Sequence, residues 1–199
     1  MKLHFSPTSP YVRKTLVTAH EAGLADKIEK MANSPWEEND LSNDNPVGKV
    51  PALILDDGTV LFDSRVICEY LDATSDAPSL FPSGPARWNA LRLAAMGEGI
   101  MDAGVGITIE RRKGEAYVSD WYVDRQKEKI ARTVDALDSE AGQLQEPLDI
   151  GQITVGCALG YILFRDFIGD WRPERPRLAA WYDSFAARPS MRATEPKDP

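Results

Sequence analysis

The run from Asn45 to Leu71, NPVGKVPALILDDGTVLFDSRVICEYL, constrains the fold more than any other stretch of this chain. Val50-Pro51-Ala52-Leu53-Ile54-Leu55 enters a short apolar strand directly from a proline. Proline has no N–H for a sheet ladder, so it is tolerated at the first residue of a strand and not in its middle. Asp56-Asp57-Gly58-Thr59 is a tight-turn signal, because glycine supplies the positive φ that a hairpin turn requires. Val60-Leu61-Phe62 is the return strand. Asp63 or Ser64 then caps a helix by accepting a bond from a free backbone N–H. Val66, Ile67, Tyr70 and Leu71 are expected to form the apolar stripe of that helix. A proline in this place is a candidate for a cis peptide. That would leave the Val50 backbone as an extended edge able to pair with a peptide. The helix N-terminus at Asp63-Ser64 offers free N–H groups to a carboxylate. The two devices together suit a small peptide bearing a carboxylate and an amine. The same residues also fit a plain hairpin and helix in any small domain.

Upstream, Lys2-Leu3-His4-Phe5-Ser6 alternates with period two and reads as a strand. Pro7-Thr8-Ser9-Pro10 is a turn, with Ser9 as N-cap and Pro10 as first helical residue, where a missing N–H costs nothing. The helix runs to about Ala22, where Gly23 stops it, and a second strand is expected near Ile28–Met31. Residues 34–45 are polar and read as a loop or a short irregular helix. The order β-α-β-(α)-β-β-α predicts an α/β thioredoxin-like domain with a four-stranded mixed sheet over residues 1–75. A linker over 76–85 follows, inside the proline-bearing run TSDAPSLFPSGP.

Beyond the linker only helical periods occur, so residues 86–199 are expected to form an all-α bundle. Its first helix, about 86–112, carries Gly97, Gly99, Gly104 and Gly106. These read as close helix packing in preference to a soft wall beside a ligand. A second helix spans about 116–145. Asp149 caps an almost wholly apolar helix, Ile150–Phe167, and Gln152 completes a capping-box pattern. Leu178, Trp181, Tyr182 and Phe185 mark a last helix before Arg188-Pro189.

The net charge of −8 over 199 residues argues against a nucleic-acid partner, since phosphate binding wants a basic face. No apolar run approaches the roughly 18 residues of a membrane span, and MKLHFSPTSP has no apolar signal core. Two cysteines, Cys68 and Cys157, suit a reducing cytoplasm without a disulfide framework. Two histidines, His4 and His20, are too few for a histidine-based metal site, so no metal is expected.

Ser9 carries the chemistry most sharply, although a plain capping role explains it equally simply. No G-x-S-x-G elbow accompanies it, so it is not read as an acyl nucleophile. Its better role is as a hydrogen-bond donor to a thiolate brought by the substrate. A thiol reacts as its anion, and a donor beside a helix N-terminus favours that anion.

P-V-G-K-V-P-A-L, a hairpin, and then F-D-S-R-V-I-C-E-Y-L resemble the glutathione-binding half of cytosolic glutathione transferases. Ser-Pro-Tyr-Val-Arg-Lys at 9–14 resembles the start of the first helix in their serine- and cysteine-type branches. The resemblance runs over essentially the whole chain. It implies a bacterial, serine-type member in which Ser9 contacts the glutathione sulfur, with Thr8 and Ser6 as neighbouring alternatives. It implies that Val50, before cis Pro51, binds the cysteine backbone, that Asp63 and Ser64 hold the γ-glutamyl end, and that Lys49 lies near the glycine carboxylate. It implies glutathione as co-substrate and a homodimer formed through residues near Asp63–Tyr70 and the helix 86–112. A small hydrophobic electrophile is expected against the helical domain, with Met96, Ile100, Ala103 and Ile107 as apolar lining. A glutathione-dependent peroxidase or reductase would use the same site; a non-catalytic binding module is the other alternative, and intact Ser9, Pro51, Asp63 and Ser64 count against it.

Overall fold

The computed structural model describes residues 1–33, 41–145 and 147–197. Two compact units divide the chain: Met1–Ser83 together with the residues from Pro189 on, and Gly84–Arg188. The first unit runs β1 (Lys2–Phe5), α1 (Pro10–Glu21), β2 (Glu29–Ala32), α2 (Leu41–Asp44), β3 (Ala52–Ile54), β4 (Val60–Leu61) and α3 (Ser64–Ala73). The sheet order is β2-β1-β3-β4. β1 is parallel to β2 and antiparallel to β3, and β3 is antiparallel to β4. This is the four-stranded mixed sheet predicted from the order of elements. Of the polar stretch 34–45, residues 34–40 lie outside the described residues, and α2 occupies most of the rest.

Local signals build these elements. The Ser9 side chain accepts from the Val12 N–H, and Pro10 opens α1 at the position where its lost N–H has no partner. Gly23 takes φ 68° at the end of that helix, a conformation that a Cβ would strain. α1 and α3 bury their apolar faces on the sheet. Leu3, Val12, Leu16, Leu53, Ile67 and Leu71 form the core there, each worth about 1.5–3 kcal/mol when fully buried. The face of α3 differs from the expected stripe. Val66 points outward at 47% exposure, while Ser64, Ile67, Cys68 and Leu71 face inward. These are the positions i, i+3, i+4 and i+7, and the neighbour across them is α1. There the Thr18 hydroxyl donates to Cys68 Sγ at 3.3 Å.

The second unit contains α4 (Pro85–Arg111), α5 (Asp120–Ser139), α6 (Ile150–Arg165) and α7 (Pro176–Ala186). α6 is buried from Ile150 to Ile162, as an all-round apolar helix must be. A Cβ built on Gly97 would stand 2.8 Å from the backbone carbonyl carbon of Thr154, and one on Gly104 would stand 2.6 Å from the Phe167 ring. These glycines let α4 approach its neighbours closely. Asp149 caps α6 by accepting from the Gln152 N–H at 3.0 Å. The Gln152 side chain does not close the expected capping box. It donates to the Gln145 and Pro147 carbonyls and ties down the incoming loop. Burial pushes the Asp149 carboxyl above its ordinary value, and the Gln152 and Gly151 N–H groups partly offset that push.

A further short helix, α8 (Pro189–Ala193), packs with the first unit. The Arg13 guanidinium donates to the Met191 carbonyl at 3.1 Å, and the Ser190 hydroxyl donates to Glu21. α8 therefore braces the helix that carries Ser9. Among the described residues, no helix is long and apolar enough to cross a membrane.

Candidate functional site

Strand register places the candidate residues of the first unit at one end of the sheet. His4 pairs with Ala52 across the antiparallel β1–β3 ladder, so the end of β1 faces the start of β3. Leu53 pairs with Leu61, so the start of β3 faces the end of β4. The chain leaving β1 reaches Ser9 and α1, the chain entering β3 passes through Lys49 and Val50, and the chain leaving β4 reaches Asp63 and α3. Two helix N-termini and one strand entrance thus meet at the same edge. Each helix N-terminus carries unpaired N–H groups and the positive end of a helix dipole.

Ser9 is half-buried, and its Oγ accepts from the Val12 N–H at 3.3 Å. Its own O–H proton has no acceptor among the described residues and stays available as a donor. Ser6 and Thr8, the neighbouring alternatives, have their hydroxyls 3.4 Å apart. Val50 is buried and stands just outside β3, and the Val50–Pro51 peptide is cis. The Lys49 side chain is exposed, while its carbonyl accepts from Asn45 Nδ2 at 2.7 Å. Asp63 is exposed and caps α3 by accepting from the Arg65 N–H at 2.8 Å. Ser64 is 2% exposed and is the first residue of α3. A hydroxyl at a helix N-terminus can both accept from and donate to a ligand.

His4 does belong to a His–Asp pair, but not one that serves Ser9. Its Nε2 lies 2.7 Å from Asp44 Oδ2 and its Nδ1 lies 2.7 Å from Asn33 Oδ1. Both ring nitrogens are engaged, so neither is left to take a proton from Ser9. Asn45, which the reading of the sequence did not single out, is 2% exposed and closes the turn before Lys49. An asparagine followed by Pro-Val-Gly is an Asx-turn pattern, and that was the signal for it.

The lining residues proposed on α4 divide. Ile100, Ala103 and Ile107 are 1%, 2% and 0% exposed and serve the packing of the bundle. Met96 is half-buried and lines a cleft of about 410 Å³ with Arg92, Ala95 and Gly99 of α4 and Arg132, Thr133 and Ala136 of α5. Among the described residues, no group of three or more His, Cys, Asp or Glu side chains is placed to hold a metal ion.

The family profile "Glutathione S-transferase, N-terminal domain" matches residues 8–74, and "Glutathione S-transferase, C-terminal domain" matches residues 120–184. The chain belongs to the glutathione S-transferase family. The N-terminal match takes in Ser9, Lys49, Val50, Pro51, Asp63 and Ser64, and α4 lies outside both matches. Among solved glutathione transferases, the chain is similar to a family member from Pseudomonas fluorescens Pf-5 with bound glutathione. The identity is 43% over 99% of each chain, at a TM-score of 0.95. A glutathione S-transferase from Methylobacillus flagellatus KT, with glutathione bound, is 33% identical over 98% of this chain and 99% of that one, at a TM-score of 0.92. Among curated relatives, the uncharacterized GST-like protein YibF of Escherichia coli K12 is 35% identical over 98% of both chains.

Proposed function

We propose that this glutathione transferase binds glutathione across the sheet end and conjugates its thiolate to a small hydrophobic electrophile. The observation that carries the reading is the meeting of Ser9, Val50 and Ser64 at one edge of the sheet, each with a hydrogen-bonding group to offer. Adjacent strands lie about 4.8 Å apart, so β4 and β1, separated by β3, are about 10 Å apart. An extended tripeptide spans about the same distance. The γ-glutamyl carboxylate sits on the α3 N-terminus at Asp63 and Ser64. The cysteine backbone pairs with Val50, and the sulfur reaches Ser9. Lys49 lies on the same side for the glycine carboxylate. Relatives of similar sequence have been solved with glutathione bound, which supports the ligand.

Ser9 acts on the sulfur as a donor. The hydrogen bond from Val12 uses an oxygen lone pair and leaves the O–H for the thiolate. The thiol proton passes to solvent and the sulfur lone pair forms the new C–S bond. The leaving group departs with the electrons of the bond it breaks. Of the residues expected to line the electrophile's place, Met96 alone has surface of its own to offer, while Ile100, Ala103 and Ile107 are taken up by the bundle packing. The same reading includes a homodimer of the 22.1 kDa chain in the cytoplasm.

Calorimetric titration with glutathione tests the site. Ser64→Ala removes a buried polar partner and is expected to weaken binding by about 1–3 kcal/mol. No heat of binding from the wild-type protein overturns the reading, and unchanged affinity in Ser64→Ala removes Ser64 from it. Transfer to an aromatic halide measured beside peroxide reduction decides which reaction the bound thiolate serves.

A further inference from the structure

We infer that the buried His4 and the half-buried Asp44 form a clamp that positions the glutathione-holding loop 45–51. The inference rests on the glutathione reading above and adds positioning residues to it.

His4 is a strand residue, flanked in the sheet by Met31 of β2 and Ala52 of β3. Its side chain is 3% exposed, and a histidine so placed in a small sheet needs partners for both nitrogens. It has them, each at 2.7 Å: Asn33, just beyond β2, and Asp44, the last residue of α2. The doubly protonated ring donates to both oxygens. A neutral ring keeps both contacts when the Asn33 amide turns its NH₂ towards Nδ1. The clamp therefore holds in either form of the ring. Asp26 and Lys27 border the far end of β2, and Lys2, Glu29 and Lys30 are the other charged residues on β1 and β2. None of them forms a hydrogen bond or ion pair with His4.

What the clamp holds is the next residue. Asn45 bonds through four of its groups. Its N–H donates to the Leu41 carbonyl at 2.7 Å, and its carbonyl accepts from the Gly48 N–H at 2.8 Å. Its Oδ1 accepts from the Val47 N–H at 3.0 Å, and its Nδ2 donates to the Lys49 carbonyl at 2.7 Å. The turn 45–49 is thus closed on itself. Its internal bonds settle its shape but not its place against the sheet. The His4–Asp44 bond ties that turn to β1 one residue before the strand end that leads to Ser9. One side chain therefore relates the strand leading to the sulfur contact to the loop leading to Val50. A charged partner makes this bond stronger than a neutral one, and a rigid supporting layer is what keeps a binding group in productive geometry.

A merely structural pair would lower stability and leave ligand affinity alone. A positioning pair changes the binding of glutathione in the folded protein. The experiment compares wild type, Asp44→Ala, Asp44→Asn and His4→Gln by calorimetric titration with glutathione and by steady-state transfer, with thermal unfolding of each variant alongside. Asp44→Ala is expected to raise the Kd and KM for glutathione about tenfold, or about 1.4 kcal/mol. Its kcat at saturating glutathione should stay within about twofold, because the loop is seated once ligand is bound. Asp44→Asn keeps an oxygen for the His4 ring and should recover most of the affinity. The inference is overturned if folded Asp44→Ala binds glutathione as tightly as wild type, or if kcat falls while KM holds. It is equally overturned if Asp44→Asn matches Asp44→Ala. Should Asp44→Ala fail to fold, His4→Gln carries the comparison: it is expected to weaken glutathione binding more than Asp44→Asn does, and wild-type affinity in folded His4→Gln overturns the inference. A wild-type protein that does not bind glutathione at all refutes the functional reading instead, so the two failures are distinct.

Discussion

Ser9 performs two tasks through one oxygen, and substitution can separate them. As N-cap it accepts from Val12 at 3.3 Å, slightly beyond the usual range for such bonds. Losing it in Ser9→Ala should therefore cost the lower part of the range for a cap, about 0.5–1 kcal/mol. As donor to a thiolate it makes a hydrogen bond to a charged group, worth about 1.5–3 kcal/mol. At about 1.4 kcal/mol per pKa unit, Ser9→Ala should raise the thiol pKa of bound glutathione by about 1–2 units. The α1 dipole contributes about 0.3–1 kcal/mol independently and stays in place. The pKa should thus remain below that of free thiol even in the variant. Ser9→Asp makes the separation sharper. Aspartate is as good a cap as serine, so stability should match wild type. Its carboxylate would nevertheless face the sulfur without a proton to give. At an effective dielectric of 20, two like charges 4 Å apart repel by about 4 kcal/mol, so the thiol pKa should rise further than in alanine. The assay is the ultraviolet absorbance of the bound thiolate followed against pH, beside the transfer rate and thermal unfolding. The lost rate should recover at high pH, where the thiolate forms unaided. Unchanged thiolate absorbance and transfer rate in both variants would refute the role given to Ser9 and turn attention to Thr8 or Ser6.

Two predictions concern the helical unit. Gly97→Ala drives a methyl against the Thr154 backbone and should cost about 1–3 kcal/mol by overpacking, whereas Gly99→Ala meets nothing within 4 Å and should gain up to about 1 kcal/mol of helix propensity. Urea unfolding at two protein concentrations checks this, and shifts of the same sign and size would refute the packing account. The raised pKa of Asp149 means that the fold disfavours its charged form, so this residue's contribution is fully present below its unfolded pKa and is lost as pH rises through the raised value. Asp149→Asn keeps the cap and should remove that decline in stability between acid and neutral pH. An undiminished decline would show that Asp149 is not its source.

What the sequence determined by itself is the set of features whose causes lie within a few residues. Ser9 and Pro10 open α1 as expected because both act on N–H groups of the first turn, and Asp63 and Asp149 cap their helices for the same reason. The hairpin of β3 and β4 follows from its own turn residues, and the order of strands and helices was enough for the mixed sheet. Only the tertiary structure decided which faces those helices bury. The apolar residues of α3 allow more than one inward face, and packing of α1 on Cys68 turned Val66 to the solvent. A hydrophobic period likewise marked α4 without saying that Ile100, Ala103 and Ile107 would be spent on the bundle interior. The distant bonds were equally hidden. Arg13 meets Met191 across 178 positions, and His4 meets Asp44 across 40. Polar side chains at such separations carry no periodicity to announce their partners. Their meeting depends on the sheet register and on the return of α8, which are set by the burial of apolar surface elsewhere in the chain.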